Sequence, residues 1–350
     1  MADSAHIWTD EQIENLQKEF EKTYKQASIE MRVKLGKHMR TFDEKNKDWK
    51  KRVKHDPSLE EQYQEWLKSQ ALNQKWIRSM VTTITEDAVR ADQIASERIY
   101  DTVPYVVAEN ANRAAYAIQE GLGRQINEFT LYDQDTVRRL ITEQPDSLPT
   151  VPDVAFKKKK DTAWNSKKFT SAITQSILQG ESIPDAVKRL NMVLNMDKEA
   201  AIRSARTAMT GAENAGRVHS YQRAKDLGIK LEQQWLATLD ERTRAEHRLL
   251  DGQHVPVGKK FHVPGYGSKY DIEFPGDSKA LPAMVWNCRC SLIAWFDDSE
   301  DITLDRWSKL PKDMTYEEWK RSAPKYGDPV KRKSGKKHRK KNEEKDVDNK

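Results

Sequence analysis

The chain has 350 residues, of which 37% are hydrophobic and 33% charged, with only 14 glycines. This length suggests two folded units, and the composition favours long solvated helices over one globule. The net charge of +6 arises in residues 331–350, which hold ten Lys/Arg and four Asp/Glu, so residues 1–330 are formally neutral. General attraction to nucleic acid is therefore expected only from this terminal segment.

The sequence lacks the patterns of export and membrane insertion. Its start has no basic stretch followed by an apolar one, as a signal peptide would. No run approaches the roughly 18 apolar residues of a membrane helix. Cys288 and Cys290 are too few for a disulfide scaffold, and their spacing disfavours a mutual disulfide. We therefore expect reduced thiols, cytosol-like conditions and no membrane contact.

Helical periodicity dominates residues 1–150, which we interpret as a helical docking region. Thr9 and Gln12 fit a capping box, which predicts a first helix from Thr9 to just before Pro57. Ser58 begins a second capping box and a second, aromatic-rich helix. Helical patterns continue through residues 83–120, and a short helix follows near 135–142.

Three tryptophans in this region, Trp49, Trp66 and Trp76, allow two interpretations. Most helical stripes pack within their own domain, which would place these rings in an intramolecular bundle. Tryptophan is also the residue type best suited to anchor an interface, which would make them contacts for a partner. Their exposure decides between the two.

Residues 151–195 are predicted to be a linker with connecting helices. One helix spans about 165–179 and closes at Gly180, and another opens at Ser182 and Pro184. A separate long helix is predicted from Asp197 to Leu227.

The pattern changes at Leu231, where alternating apolar residues predict a strand. Asp240 is predicted to cap a helix over 241–250 that ends at Gly252. The segment Trp286–Phe296 is predicted to be one strand with Cys288 and Cys290 on the same face.

Asp240, Arg244, His247 and Asp251 are spaced by four, three and four residues, which predicts one helical face. The Cys-x-Cys pair, His247 and one further histidine, His254 or His262, would complete a tetrahedral zinc site. In the alternative interpretation both thiols are buried core residues, and His247 only shares hydrogen bonds and charge with Asp251.

This part of the chain resembles the phage Mu F-like head morphogenesis domain over about residues 196–297. The residues that carry the resemblance, in order, are Arg206-Thr207, Asn214, Gly228, Trp235, Asp240-Glu241-Arg242-Thr243-Arg244, His247, Leu250-Asp251-Gly252-Gln253, Phe261, Pro275-Gly276-Asp277 and Asn287-Cys288-Arg289-Cys290. Several of them, including Arg242, Thr243, Asn287 and Arg289, we interpret as shaping the domain. Residues 298–330 are a C-terminal extension.

The resemblance implies a minor head protein that acts in head morphogenesis. It implies a portal protein as partner, with scaffold or coat protein as alternatives, and contact with packaged DNA. The expected location is the virion head near the portal, after assembly in the host cytoplasm. The expected fold class is α+β and predominantly α: a long helical region, a small domain with a few short strands, and a disordered basic tail.

The composition of the tail, residues 331–350, predicts disorder and non-specific binding to double-stranded DNA. A solubilising terminus or a tether for an acidic scaffold protein fits the same charges. The basic residues assigned to DNA binding are Lys331, Arg332, Lys333, Lys336, Lys337, Arg339, Lys340 and Lys341.

An enzymatic alternative is a metal-dependent hydrolase or nuclease that uses His247 with Asp240 and Asp251 to activate water. The sequence offers neither an independent nucleophile nor a phosphate-binding glycine loop, so catalysis is the less favoured hypothesis.

Overall fold

The computed structural model describes residues 3–143, 158–296 and 307–326, with side chains from residue 162 onward in the second range. The predicted tail and residues 298–306 and 327–330 of the C-terminal extension lie outside these ranges. In chain order the helices are α1 (Ser4–His55), α2 (Glu60–Ala71), α3 (Gln74–Leu122), α4 (Gln134–Glu143), α5 (Lys158–Leu178), α6 (Ile183–Asp226), α7 (Ala245–Leu250), α8 (Pro282–Val285) and α9 (Tyr316–Ser322). The strands are β1 (Arg124–Gln125), β2 (Glu232–Leu236), β3 (His254–Pro256), β4 (Ser291–Trp295) and β5 (Ser308–Lys309). The predominantly helical α+β class is confirmed.

Helix α1 begins earlier than its capping pattern predicts. Asp3 is the N-cap and accepts hydrogen bonds from the amides of Ala5 at 3.1 Å and His6 at 3.3 Å. The prediction that Thr9 starts the helix is therefore wrong. Thr9 is buried inside α1, and its hydroxyl donates to the Ala5 carbonyl at 3.1 Å.

The second predicted capping box is also wrong. Asp56, not Ser58, is the capping residue: it accepts from the Ser58 amide at 3.0 Å and opens a short 3-10 turn before α2. The aromatic stripe predicted as one helix is interrupted at Leu72. Asn73 then caps α3 by accepting from the Trp76 amide at 3.2 Å. Local caps at Asp56 and Asn73 thus set the starts of the 3-10 turn and of α3.

Helix α6 joins two predicted helices into one of 44 residues. Ser182 is its N-cap, as predicted, and Pro184 occupies the first turn. Gly180 and Gly228, on either side, both have positive φ values, 54° and 78°. Residue 196, where the sequence suggests a new domain, lies inside this continuous helix.

The helices α1, α3 and α6 pack along one another around a shared apolar core, with α5 against α2, α3 and α6. The helices α3 and α6 approach each other closely at Gly216 of α6, where a Cβ atom would lie 2.4 Å from the Val107 carbonyl oxygen of α3. One turn further on, the Ser220 hydroxyl donates to the Ala111 carbonyl at 2.7 Å. Only a residue without a side chain permits this contact between the two backbones.

The three tryptophans pack within the bundle. Trp66 stacks on Phe42 with ring centroids 5.3 Å apart, and Trp49 and Trp76 lie beside the same group. All three are partly buried against the core. The intramolecular interpretation therefore accounts for them. At the same end of the bundle, however, Leu72 is 74% exposed.

A second apolar core lies between the far ends of α3 and α6 and a small antiparallel sheet in the order β3-β2-β4. Strand β2 is shorter than predicted: Trp235 is fully buried, but Leu239 lies beyond the strand and is 65% exposed. The predicted strand Trp286–Phe296 is wrong in its first half, because only Ser291–Trp295 is extended in the sheet. Asn287 turns the chain with a left-handed φ of 57°.

Helix α9 packs against the second core and α3. Its capping box pairs Thr315 with Glu318, and Trp319 is buried. Lys320 forms an ion pair with Glu109 of α3 at 2.6 Å. No helix within the described ranges combines the length and the apolar character that crossing a bilayer requires.

A buried ionic network fastens the start of α1 to α6. Arg217 pairs with Glu213 at 2.7 Å and with Asp3 at 2.5 Å. His6 Nδ1 lies 3.0 Å from both carboxylate oxygens of Glu213, and Asp10 is 3.9 Å from the other ring nitrogen. Burial disfavours the imidazolium, but the attraction to Glu213 outweighs it and raises the pKa of His6 to about 9.

Stability should therefore depend on pH through His6. Because its folded pKa exceeds the unfolded value, its contribution is complete below about pH 6.5 and is lost as pH rises towards 9. We expect the stability difference between the wild type and His6→Gln to shrink by about 2 kcal/mol over that range, measured by urea unfolding. The exposed His55→Gln serves as control, and a pH-independent difference at His6 would contradict the prediction.

Candidate functional site

The segment after β2 forms a turn before it forms a helix. Helix α7 starts at Ala245, so the prediction that Asp240 caps a helix over 241–250 is wrong. Asp240 instead accepts from the Arg242 amide at 2.9 Å. Its carboxylate also accepts from Nη1 and Nη2 of Arg289, the latter at 2.6 Å. These hydrogen bonds hold the pKa of Asp240 well below its usual range. The Asp-Glu-Arg-Thr-Arg motif thereby ties this turn to the cysteine segment.

The four residues predicted to share one helical face do not converge. Arg244 donates to the Trp286 carbonyl, and Asp251 accepts from the Ala237 amide at 2.8 Å. Asp240 lies outside α7, and His247 is the only one of the four that approaches the thiols. Each polar residue of the motif therefore fastens a different segment of the domain.

Gly252 and Thr243 have local roles. Gly252 has a φ of 74°, and its amide donates to the Trp235 carbonyl at 2.9 Å, which turns the chain back along β2. The Thr243 hydroxyl donates to the Thr238 carbonyl within the turn. These contacts support the prediction that the motif residues shape the domain.

His247, Cys288 and Cys290 come together in the second core. His247 Nδ1 lies 3.3 Å from Cys290 Sγ and 3.5 Å from Cys288 Sγ. All three residues are 2% exposed, and their donor atoms lie within 4.8 Å of one another. The Trp235 ring packs edge-on against the imidazole at 5.5 Å. The sequence grouping of these three residues is thus reproduced in space, although neither cysteine lies in a strand.

The two sulfurs differ in acidity. The hydrogen bond from the Cys288 thiol lowers the pKa of Cys290, and His247 adds to this effect. The same interaction, together with burial, raises the pKa of Cys288. Cys290 is therefore the first to become a thiolate, with Cys288 retaining the shared proton.

Neither predicted fourth ligand reaches this cluster. His254 pairs with Glu232 and stacks on Trp295 at 4.1 Å between ring centroids. His262 pairs with Asp271 at 2.8 Å, and its side chain is 61% exposed. Within the described ranges, the groups close enough to share a metal ion are His247, Cys288 and Cys290 alone.

Helix α6 holds the cysteine segment through a row of side chains. The Asn287 amide donates to the Thr207 hydroxyl at 2.9 Å, and the Thr210 hydroxyl donates to the Cys288 carbonyl at 2.8 Å. One helical turn on, the Asn214 side chain donates to the Cys290 carbonyl at 3.3 Å and accepts from the Leu292 amide at 2.9 Å.

Arg217 completes the row by donating to the Leu292 carbonyl. Thr207, Thr210, Asn214 and Arg217 follow one another at spacings of three and four residues, so they lie on one face of α6. We call them the α6 ladder. They bind the main chain of β4 and the segment before it on the side that does not face β2, in the place of a further strand.

Sequence reasoning recognised Thr207 and Asn214 as motif residues but missed Thr210 and Arg217. Their helical spacing was a usable signal, because a polar stripe within an otherwise alanine-rich helix needs partners when it is buried. The partner was not inferable, since these side chains bind carbonyl and amide groups about 80 residues away in sequence.

Comparison of the sequence with known proteins finds similarity over parts of the chain. Residues 167–293 match the family model described as Phage Mu protein F like protein. This segment is therefore similar to the phage Mu F-like family. The matched range begins earlier than the predicted residue 196 and includes α5, except for its first turns, and all of α6.

Three relatives are similar in sequence to parts of the chain. It is 29% identical to minor head protein GP7 of Bacillus phage SPP1 over 61% of the chain and 68% of GP7. It is 27% identical to the NAD(+)--arginine ADP-ribosyltransferase EFV of Enterococcus faecalis over 65% of the chain, which spans only 46% of that protein. It is 30% identical to the uncharacterized protein YqbB of Bacillus subtilis over 34% of the chain and 38% of YqbB. No solved structure gives a significant match.

The α6 ladder should be essential for the stability of the domain. Asn214→Ala leaves the Cys290 carbonyl and the Leu292 amide buried without partners, which we expect to cost about 2–4 kcal/mol of unfolding free energy. Asn195→Ala, an exposed position on the same helix, should change it by less than about 0.5 kcal/mol. Urea denaturation monitored by tryptophan fluorescence provides the measurement, and equal effects of the two substitutions would refute the ladder's role.

Proposed function

We propose that the protein is a phage minor head protein that joins the head during assembly by docking onto the portal oligomer. The observation that carries this proposal is the Mu F-like segment, together with similarity to minor head protein GP7 over 68% of that protein. The role is structural: the domain and the bundle are rigidly connected and present surfaces to other head proteins.

The geometry of the bundle suggests which part docks. Helix α1 has 52 residues and so extends about 78 Å, from Asp3 beside the sheet to the turn that precedes α2. The bundle end that carries α2 therefore lies far from the β3-β2-β4 sheet. Leu72 at that end is 74% exposed and offers an apolar side chain to a partner. We propose this end as the portal contact.

The hydrolase alternative receives little support from the geometry. A general base must reach a substrate or its water, but His247 is only 2% exposed and faces two sulfurs. Asp240 is engaged by Arg289, and Asp251 by the Ala237 amide. The activity in the name of the enterococcal relative belongs to a protein of which the chain spans 46%. We propose a non-enzymatic role.

Portal docking is testable by cosedimentation with the portal oligomer encoded in the same genome. We expect wild-type protein to sediment with the portal, and Leu72→Asp to weaken binding about tenfold because it places a charge in the contact. Val33→Asp, at a 54% exposed apolar position on the shaft of α1, is the matched control and should bind normally. Binding to coat or scaffold protein instead would make the portal assignment wrong, and absence from purified heads would remove the head role itself.

We also propose that residues 331–350 contact packaged double-stranded DNA without reading its sequence. Their ten Lys/Arg supply charge for phosphate neutralisation, while residues 1–330 are formally neutral. A chain ending at Val330 should bind DNA at least about tenfold more weakly at low salt, with a flatter dependence on salt.

A full-length chain with the eight basic residues Lys331–Lys333, Lys336, Lys337 and Arg339–Lys341 changed to Gln separates charge from length. It should behave like the truncation in a filter-binding titration. Unchanged retention in both variants would refute DNA contact through this segment and favour its action on an acidic protein.

A further inference from the structure

The assembly function does not by itself explain why His247, Cys288 and Cys290 form a buried cluster. Its members come from two separate elements, α7 and the segment that leads into β4, and they meet at the centre of the second core. We propose that these three residues bind a structural Zn²⁺ ion that joins α7 to the segment before β4.

The donor set suits this ion. Two thiolates and one imidazole are ligands that zinc prefers, and soft sulfur donors exclude magnesium and calcium. Cys288 and Cys290 are placed to bind the same ion, because the sulfurs of both residues face Nδ1 of His247. Among the described residues, no carboxylate belongs to the group of donor atoms that lie within 4.8 Å of one another.

The spacing of the donor atoms also fits. Bond lengths of about 2.3 Å to sulfur and 2.0 Å to nitrogen at tetrahedral angles place a nitrogen and a sulfur ligand about 3.6 Å apart. The distances from His247 Nδ1 to the two sulfurs are 3.3 and 3.5 Å. The two nitrogen–sulfur distances are therefore close to those that a shared ion requires.

The surroundings explain what the ion would contribute. An imidazole that is 2% exposed loses its hydration, and thiols are weak hydrogen-bond partners in exchange. Helix α7 has only six residues, and the chain around Asn287 is irregular. A bond through zinc would compensate the buried imidazole and fix both short elements. The fourth coordination position we assign to water, because no fourth ligand among the described residues joins the cluster.

Metal content of the isolated full-length chain tests the proposal without any phage head or portal, so its outcome is independent of the docking proposal. The protein is produced without a histidine tag, dialysed and measured by plasma mass spectrometry. We expect about one zinc per chain, falling below about a tenth in Cys288→Ser and Cys290→Ser. His247→Cys should retain zinc, because it supplies a third thiolate, whereas His247→Ala should lose it.

Two control variants and spectroscopy of the wild type test the zinc site even if a variant of the cluster misfolds. His254→Ala and His262→Ala remove histidines outside the cluster and should keep the full zinc content. Cobalt substitution of the wild type should give thiolate charge-transfer bands and a tetrahedral visible spectrum, and zinc X-ray absorption should show two sulfur and two lighter ligands. A folded wild type that is metal-free and fails to take up added Zn²⁺ would overturn the proposal, as would copper in place of zinc or zinc loss in the His262 variant.

Discussion

The arrangement of the second core depends on the α6 ladder. A three-stranded sheet with β4 at its edge would leave main-chain amides and carbonyls of that edge without partners in a buried location, which is costly. Thr207, Thr210, Asn214 and Arg217 supply those partners from a helix. Because side chains of a rigid helix fix the backbone of the cysteine segment at intervals, that segment need not be a regular strand. This explains how Cys288 and Cys290 can both face His247 while the chain around them turns at Asn287.

The ladder also connects the two halves of the protein. Arg217 donates to β4 and at the same time pairs with Glu213 and Asp3, so the start of α1 is held by the residue that holds the sheet. A buried charge network of this kind is costly to break, since removal of one partner leaves another charge without compensation. The N-terminal helix is therefore part of the structure that supports the Mu F-like domain rather than an independent arm.

The periodic features of the fold and the Ser182 cap of α6 could be predicted from the sequence, and the starts of the first three helices could not. Apolar spacing along α1 and α3 and the glycines at positions 180 and 228 indicated long helices and their ends. The helix starts were misplaced because Asp3, Asp56 and Asn73 cap locally, while the capping-box patterns lay elsewhere. In the candidate site, His247 and the cysteines could be grouped from their residue types. The ladder could not be paired with its targets, because it binds backbone groups, which carry no sequence signature.

The continuity of α6 has a consequence for how such domains are delimited. One face of this helix supplies the ladder, while Ala201, Ala205, Ala208 and Met209 are buried in the core shared with α1 and α3. The family match starts at residue 167 and so takes in α6 without the two helices that cover that face. Excising the matched range would expose a long apolar surface to water. The segment that the family model matches is thus smaller than the packed core to which its longest helix belongs, and a protein that carried this segment alone would need other side chains to bury the apolar face of α6.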